Sequence, residues 1–354
     1  MSLSFRFKHS LDDFNLEVET SITEQGVTAI YGPSAAGKTS LLRLLAGLDR
    51  AEQGQIVFND STWQSDTLWV PPWKRRLAYV FQQPSLFEHQ DVSANLSFAS
   101  DRASANNTRL SQDQIVEIFD LGHLLARSVT NLSGGQQQRV AMARALCSQP
   151  RLLLMDEPLS ALDEAAKKQI LPYLESLCVE SGIPIVYVSH SLREVARLAD
   201  SIILMDQGRI VSQGLTQDVL NTINTSHHLS GDIENLLNAK LVGHDPEYSL
   251  SLLETGFGQI SVGTLSQELG STVRLTLSAR DISLTLEHQR ATSILNIFTA
   301  QVESLEALDQ AQMLVRLRAG DSTIIAIITK KSAHNLGLKS GLKVYCQAKT
   351  VSIL

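Results

Sequence analysis

The chain has 354 residues, enough for about two domains, and its 43% hydrophobic and 19% charged content excludes a disordered protein. A net charge of -7 with no long basic run argues against a nucleic-acid partner. Cys147, Cys178 and Cys346 lie far apart and form no C-x-x-C, which argues against a disulfide framework or zinc site and fits a reducing compartment. No basic segment followed by an apolar core opens the chain, so no signal peptide is expected. A run of about 18 apolar residues, the length a membrane helix needs, does not occur, so any membrane role must come through a partner.

Ser4–Phe7 and Phe14–Val18 alternate apolar and polar, as half-buried antiparallel strands do. Val27–Tyr31 is a buried strand, and Ser40–Ala46 reads as a helix. Between them, Gly32-Pro33-Ser34-Ala35-Ala36-Gly37-Lys38-Thr39 fits the phosphate loop G-x-x-x-x-G-K-[ST]. Gly32 and Gly37 let the backbone curl so that successive amides face one anion, and the helix, with Ser40 in its first turn, adds the positive end of its dipole. Lys38 is expected to reach the β- and γ-phosphates of a nucleotide, and Thr39 to offer its hydroxyl to Mg²⁺. Gly54–Asn59 is a short strand. Ser61–Trp73 reads as irregular and holds all three tryptophans, expected to pack as a small cluster over a loop. Leu77–Phe81 returns to a buried strand, with Gln82 at its end.

From about 85 to 150 the texture is helical, with Ile115, Phe119, Leu121, Leu124 and Leu125 suggesting an amphipathic helix and its continuation. Leu132-Ser133-Gly134-Gly135-Gln136 carries a capping box between Ser133 and Gln136. A cap does not need Gly134 and Gly135, which bare the helix N-terminus for close approach to an anion. Arg151–Asp156 is a continuous apolar strand ending in Asp156 and Glu157. Such an end lies at the carboxyl edge of a parallel sheet, where ligands bind. Asp156 is expected to hold Mg²⁺ and Glu157 to polarise a water. Ser160–Asp163 reads as the start of the next helix. Ile183–His190 is the following strand, with His190 expected beside the γ-phosphate, and Ser191–Glu194 a capping box. Ser201–Met205 and Gln207–Val211 form a strand pair after a tight turn. Apolar strands alternating with helices mean a sheet covered on both faces. Asn221–His244 reads as helix fragments and linker, and from about Leu241 onward the pattern is all-β.

Taken in order, Gly32–Thr39, Gln82, Leu132–Gln136, Leu152–Glu157, Ser160–Asp163 and His190 resemble the ABC transporter ATPase family over about residues 1–235. The resemblance implies an α/β P-loop NTPase domain (a mixed, mainly parallel sheet) with a helical subdomain at about 85–150. A linker and β-rich segment at 236–290 and a small all-β OB-like or MOP/TOBE-type barrel at 291–354 follow. It also implies ATP and Mg²⁺ as cofactors, with Thr39, Gln82 and Asp156 on the metal and Lys38, Gln82, Glu157 and His190 in catalysis. A second copy would pair head to tail, so that Gly32–Thr39 of one copy and Ser133–Gln136 of the other close on one ATP. An aromatic near the N-terminus, Phe7 or Phe14, is expected to stack on adenine.

Val80-Phe81-Gln82 followed by Leu86-Phe87-Glu88-His89 is similar to molybdate importers, with Glu88 where that group has proline. Thr292–Asn296, Lys331–Leu338 and Ala348–Ser352 resemble one MOP-type module, although the first stretch lacks the usual arginine. Ser293, Ser332 and Lys349 are the candidate oxyanion residues, and a barrel with no bound anion is the equal alternative. The implied role is a peripheral ATPase on the cytoplasmic face of the inner membrane. It would drive a membrane permease dimer that meets it near Gln82–Gln90, served indirectly by a periplasmic or extracellular binding protein. Import of sulfate, iron, polyamine or sugar is the alternative. A soluble DNA-repair-type ATPase is a remoter one, because only Gln83–Asn131 separates the two motifs, without sustained heptads.

Overall fold

The computed structural model of the chain describes residues 3–11, 14–22, 26–103, 110–223 and 233–353. Two compact units divide it, Met1–Thr216 and Gln217–Leu354.

The first unit opens with β1 (Leu3–Leu11) and β2 (Phe14–Ile22), longer than the alternating runs predict, and then β3 (Val27–Tyr31) and α1 (Lys38–Ala46). Next come β4 (Gln53–Phe58), β5 (Ser61–Gln64) and β6 (Leu77–Val80), then the helical stretch of α2 (Val92–Ser100), α3 (Gln112–Ile118) and α4 (Gly134–Cys147). The chain returns through β7 (Leu152–Asp156), α5 (Glu164–Glu180), β8 (Ile185–Ser189), α6 (Leu192–Leu198), β9 (Ser201–Asp206) and β10 (Arg209–Leu215). The strands form one sheet in the order β5-β4-β1-β2-β10-β9-β3-β8-β7-β6. Neighbours from β9 through β3, β8 and β7 to β6 all pair in parallel, whereas β1 pairs antiparallel with both β2 and β4.

The parallel strands β3, β7 and β8 are buried along their whole length, which explains their unbroken apolar sequences. Leu41, Leu42, Leu44 and Leu45 of α1 are fully buried, each stabilising the unit by about 1.5–3 kcal/mol. They pack with Phe7, Leu16, Leu154 and Val186, so the helix behind the phosphate loop is fixed to both halves of the sheet. Arg75 is buried and donates to Leu44 O and Leu45 O at the end of that helix, at 3.1 and 2.8 Å.

The tryptophans do not form one cluster. Trp63 lies on β5, a strand within the segment expected to be irregular, and packs on Phe58 with ring centroids 4.7 Å apart. Trp73, in a short 3-10 turn (Pro72–Lys74), is 80% exposed. Periodicity could not separate them, because neither belongs to a long repeat.

The remaining elements are α7 (Thr216–Ile223), β11 (Glu234–Asp245), β12 (Leu250–Thr255), β13 (Gly258–Gly263), β14 (Thr272–Ser278) and β15 (Ile282–Thr285). Then come β16 (Asn296–Ala307), β17 (Gln312–Ala319), β18 (Ser322–Thr329), α8 (Lys330–Asn335), β19 (Lys343–Ala348) and β20 (Ser352–Ile353). Part of the expected linker, 224–232, lies outside the described residues, and from Glu234 onward the chain is strand rather than linker. The strands form two five-stranded sheets, β13-β12-β11-β14-β20 and β15-β19-β16-β17-β18. β14 pairs with β20 and β15 with β19, so residues either side of 290 share one core, in which Leu241, Leu275, Val302 and Leu317 are buried.

Candidate functional site

Three motifs predicted far apart in sequence converge on one edge. β3 runs into the phosphate loop, its neighbour β8 runs into His190, and the next strand, β7, ends at Asp156 before Glu157. β6 follows, and Gln82 comes two residues after that strand ends at Val80. Parallel pairing forces this convergence, because strands that point the same way end at the same edge.

Backbone sterics dictate the two loop glycines. Gly37 has φ +94°, and a Cβ there would lie 2.7 Å from Phe14 Cζ. A Cβ on Gly32 would lie 2.1 Å from Met205 O. Lys38 is buried, with its ammonium donating to Gly32 O and Pro33 O, both at 2.9 Å. Burial pushes its pKa below the usual lysine range, opposed by the nearby Glu157 and Asp156. A cavity of about 420 Å³ is lined by Phe14, Ser34–Ser40 and Glu157.

The Thr39 hydroxyl donates to Asp156 Oδ1 at 2.9 Å, and the Tyr79 hydroxyl donates to Oδ2 at 2.9 Å. Burial lifts the Asp156 carboxyl above the usual carboxylate range, against the pull of those two bonds. Among the described residues no cluster of three His, Cys, Asp or Glu forms a metal cage. A hydroxyl beside a single carboxylate is instead the sparse hard-oxygen set that suits Mg²⁺, which takes its remaining ligands from phosphate and water. The donor set therefore fits the ion.

Glu157 Oε2 and His190 Nδ1 are 3.1 Å apart. Glu157 has φ +43°, a left-handed kink that turns its side chain out of the strand's alternation. Gln82 Nε2 donates to Ser160 Oγ at 3.0 Å, and Ser160 Oγ donates to Glu157 O at 2.9 Å. Ser160 is thus joined to the site, and α5 starts later, capped by Asp163. The capping box at Ser191 is half formed: Ser191 Oγ accepts from Glu194 N at 3.3 Å, but the Glu194 side chain turns inward.

Tyr79 and Ser160 are contacts that motif reading misses. Tyr79 looks like one more apolar residue in a buried strand. Its parallel pairing opposite Leu154 is the signal that sets it beside the acidic strand end.

The two aromatic candidates separate clearly. Phe7 is completely buried and ring-stacked with Phe5 at 5.7 Å, so it has no face for a ligand. Phe14 lines the cavity against the loop.

Ser133–Gln136 does not line that cavity. Both halves of its capping box form: Ser133 N donates to Gln136 Oε1 at 3.0 Å and Gln136 N to Ser133 Oγ at 3.3 Å. Cβ atoms on Gly134 and Gly135 would meet nothing closer than 3.7 and 3.6 Å. Packing within the chain therefore does not demand these glycines.

The candidate oxyanion residues do not converge within one chain. β16 pairs antiparallel with β19, Asn296 opposite Ala348, so Ser293 and Lys349 flank the same end of that ladder. Ser332 follows Thr329, which pairs with Gln312 at the other end of the sheet, and its amide is capped by Thr329 Oγ1 at 3.0 Å. All three are exposed.

The family model for the ABC transporter matches residues 16–160, and the TOBE domain model matches 292–354. A "Molybdenum import ATP-binding protein ModC" of Methylococcus capsulatus is 43% identical over 99% of this chain and 98% of its own length. Proteins of the same description from Pseudomonas fluorescens and Albidiferax ferrireducens are 41% and 42% identical, covering 100% and 97% of this chain and 100% and 93% of their own. Among solved structures, a nucleotide-free ATP-binding cassette from an ABC transporter superposes with TM-score 0.55 at 22% identity, covering 64% of this chain and 96% of its own. A dimeric post-hydrolysis ATP-binding cassette bound to ADP and Pi gives TM-score 0.51 at 23% identity, with 61% and 99% covered. Both likenesses concern the fold. No helix among the described residues is long and apolar enough to cross a membrane.

Proposed function

The chain belongs to the ABC transporter family of molybdenum import ATP-binding proteins, and from that membership we propose that it is the subunit whose ATP hydrolysis drives molybdate, or tungstate, through a membrane permease. The carrying observation is likeness along 99% of the chain, β-rich tail included, to proteins whose names state molybdenum import and ATP binding. Import of sulfate, iron, polyamine or sugar is not favoured by these relatives. The deciding experiment reconstitutes the chain with its permease and compares ATPase stimulation by molybdate-loaded and sulfate-loaded binding protein. Stimulation by molybdate supports the reading, and stimulation by sulfate alone rejects it.

The chemistry assigned to the site is positioning and charge neutralisation. Phe14 stacks on adenine. The Gly32–Thr39 amides, with Ser40, cradle the phosphates, and Lys38 leaves the Gly32 and Pro33 carbonyls to reach the β- and γ-oxygens. Thr39 and Asp156, with Gln82, hold Mg²⁺, which neutralises phosphate charge when bound. Glu157 orients the attacking water, and His190 donates to the transferred phosphoryl oxygen while paired with Glu157. The Ser133–Gln136 helix start, exposed at Ser133 and Gly134, completes the site of a second copy, giving a use to two glycines the chain itself does not require.

The permease meets the unit near Gln82–Gln90, at the membrane's cytoplasmic face. The first compact unit ends at Thr216 and β11 of the tail has begun by Glu234, so the ATPase ends ahead of the boundary near residue 235 that the motifs imply. An oxyanion in the tail would be held by Ser293 and Lys349 without Ser332 from the same chain. Equilibrium dialysis of the full chain with molybdate, with and without Lys349→Ala, checks this.

A further inference from the structure

Beneath His190 lies a buried polar network that the proposed chemistry does not use. Glu194, on α6, is only 7% exposed. Its Oε2 accepts from the Tyr187 hydroxyl at 2.8 Å and from Ser189 Oγ at 2.7 Å. Its Oε1 faces the Lys167 ammonium of α5 at 3.2 Å. Ser189 Oγ also accepts from the Ser191 amide at 3.0 Å. The carboxylate therefore touches three elements, β8, α5 and α6, and Ser189 links it to both sides of His190.

The sequence pattern makes this arrangement unusual. In a complete capping box the Glu194 carboxylate would return to the Ser191 amide, as Gln136 returns to Ser133. Here Ser189 Oγ takes that amide, and the carboxylate is freed to bind Ser189 from below. Burying a carboxylate is costly unless it is hydrogen-bonded and paired, and both conditions hold. Surface caps need no such investment. The network spends it on the residues flanking His190, whose own side chain is half exposed and makes its contact with Glu157.

We propose that Glu194, acting through Ser189, is a positioning residue that fixes the His190 turn so that the imidazole meets Glu157 and the γ-phosphate, with Lys167 tying that turn to the helix that follows the acidic strand. Burial holds the Tyr187 hydroxyl well above its ordinary pKa, so it stays a donor to the carboxylate. The proposal rests on the reading of His190 as a group that touches the phosphate.

Purified full-length chain tests it through steady-state ATPase kinetics and thermal melting. His190→Ala must cut steady-state turnover by about 10²–10⁴-fold, leaving a residual rate readable in single turnover, if the underlying reading holds, and a fully active His190→Ala overturns both that reading and this proposal. Ser189→Ala should lower kcat about 10–100-fold with little change in the KM for ATP, the cost of about an ångström of misplacement. Ser189→Thr, which keeps the hydroxyl, should restore most of it. Glu194→Gln should lower kcat alike, and in a His190→Ala background single-turnover cleavage should fall no further. A kcat retained by the folded fraction of Ser189→Ala, or equal losses in the Ala and Thr variants, would overturn the proposal. So would a Glu194→Gln effect that adds fully to that of His190→Ala.

Discussion

Glu157→Gln isolates the hydrolytic step from everything that holds the nucleotide. Glutamine matches glutamate in size, and its amide can still meet His190, 3.1 Å from the carboxylate oxygen. The left-handed backbone at this position is no harder for glutamine, so the fold should lose no more than about 0.5 kcal/mol. Lys38, Thr39 and the loop amides are untouched. Removing a group that handles the water's proton costs about 10²–10⁴-fold in kcat, or about 3–5 kcal/mol of barrier. The assay pairs phosphate release with melting in Mg-ATP. A nucleotide at about a hundred times its Kd stabilises the folded chain by about 2.7 kcal/mol, and the variant should keep that shift while losing turnover. With binding intact and cleavage stopped, ATP should accumulate a closed dimer, visible as doubled mass. Undiminished hydrolysis would refute the assignment of Glu157, and hydrolysis lost together with the ATP-induced shift would show that the residue serves binding instead.

Four other outcomes follow from the same geometry. Asp156→Asn should melt higher than the wild type near neutral pH without nucleotide, yet lose Mg²⁺-dependent ATP cleavage. A carboxyl raised by burial contributes most below its unfolded pKa, and that contribution is lost as pH rises through the folded value, so at neutral pH its charge costs stability. Gly37→Ala should lose ATP binding in equilibrium titration, because φ +94° and a Cβ 2.7 Å from Phe14 both resist it, at about 1–3 kcal/mol of strain. Phe14→Ala should raise the KM for ATP with little loss in melting temperature, whereas Phe7→Ala should destabilise the fold by about 3–5 kcal/mol. Gly135→Ala should fold normally, since its Cβ meets nothing within 3.6 Å, yet hydrolyse ATP poorly by obstructing the second copy's nucleotide.

The nucleotide edge was legible because its signals are local. An unbroken apolar run that stops at Asp156, or just short of His190, names both a parallel strand and its ligand-binding end. The loop motif carries its own geometry in Gly32 and Gly37. Features that depend on how separate strands align were not legible. Phe7 and Phe14 share the alternation of the first two strands, but only position along the hairpin puts Phe7 in the core and Phe14 against the loop. Tyr79 hides among apolar residues until β6 is laid beside β7. Ser293, Ser332 and Lys349 have suitable chemistry, yet strand register sends one of them to the far end of the sheet. Glu194 satisfies the spacing of a capping box, and only the buried hydroxyls of Tyr187 and Ser189 show why its carboxylate goes elsewhere.

The central claim is that each ATP is held by the phosphate loop of one copy and the Ser133–Gln136 helix start of another. Complementation between Lys38→Ala and Ser133→Arg, each also carrying Glu157→Gln so that bound ATP is not cleaved, measures it most directly. Each variant alone should trap no nucleotide, because both sites of its dimer are broken. In an equal mixture half of the dimers are mixed, and each mixed dimer holds one intact site, so about a quarter of all sites should retain radiolabelled ATP. A mixture that retains no more ATP than the two variants kept apart would contradict the account.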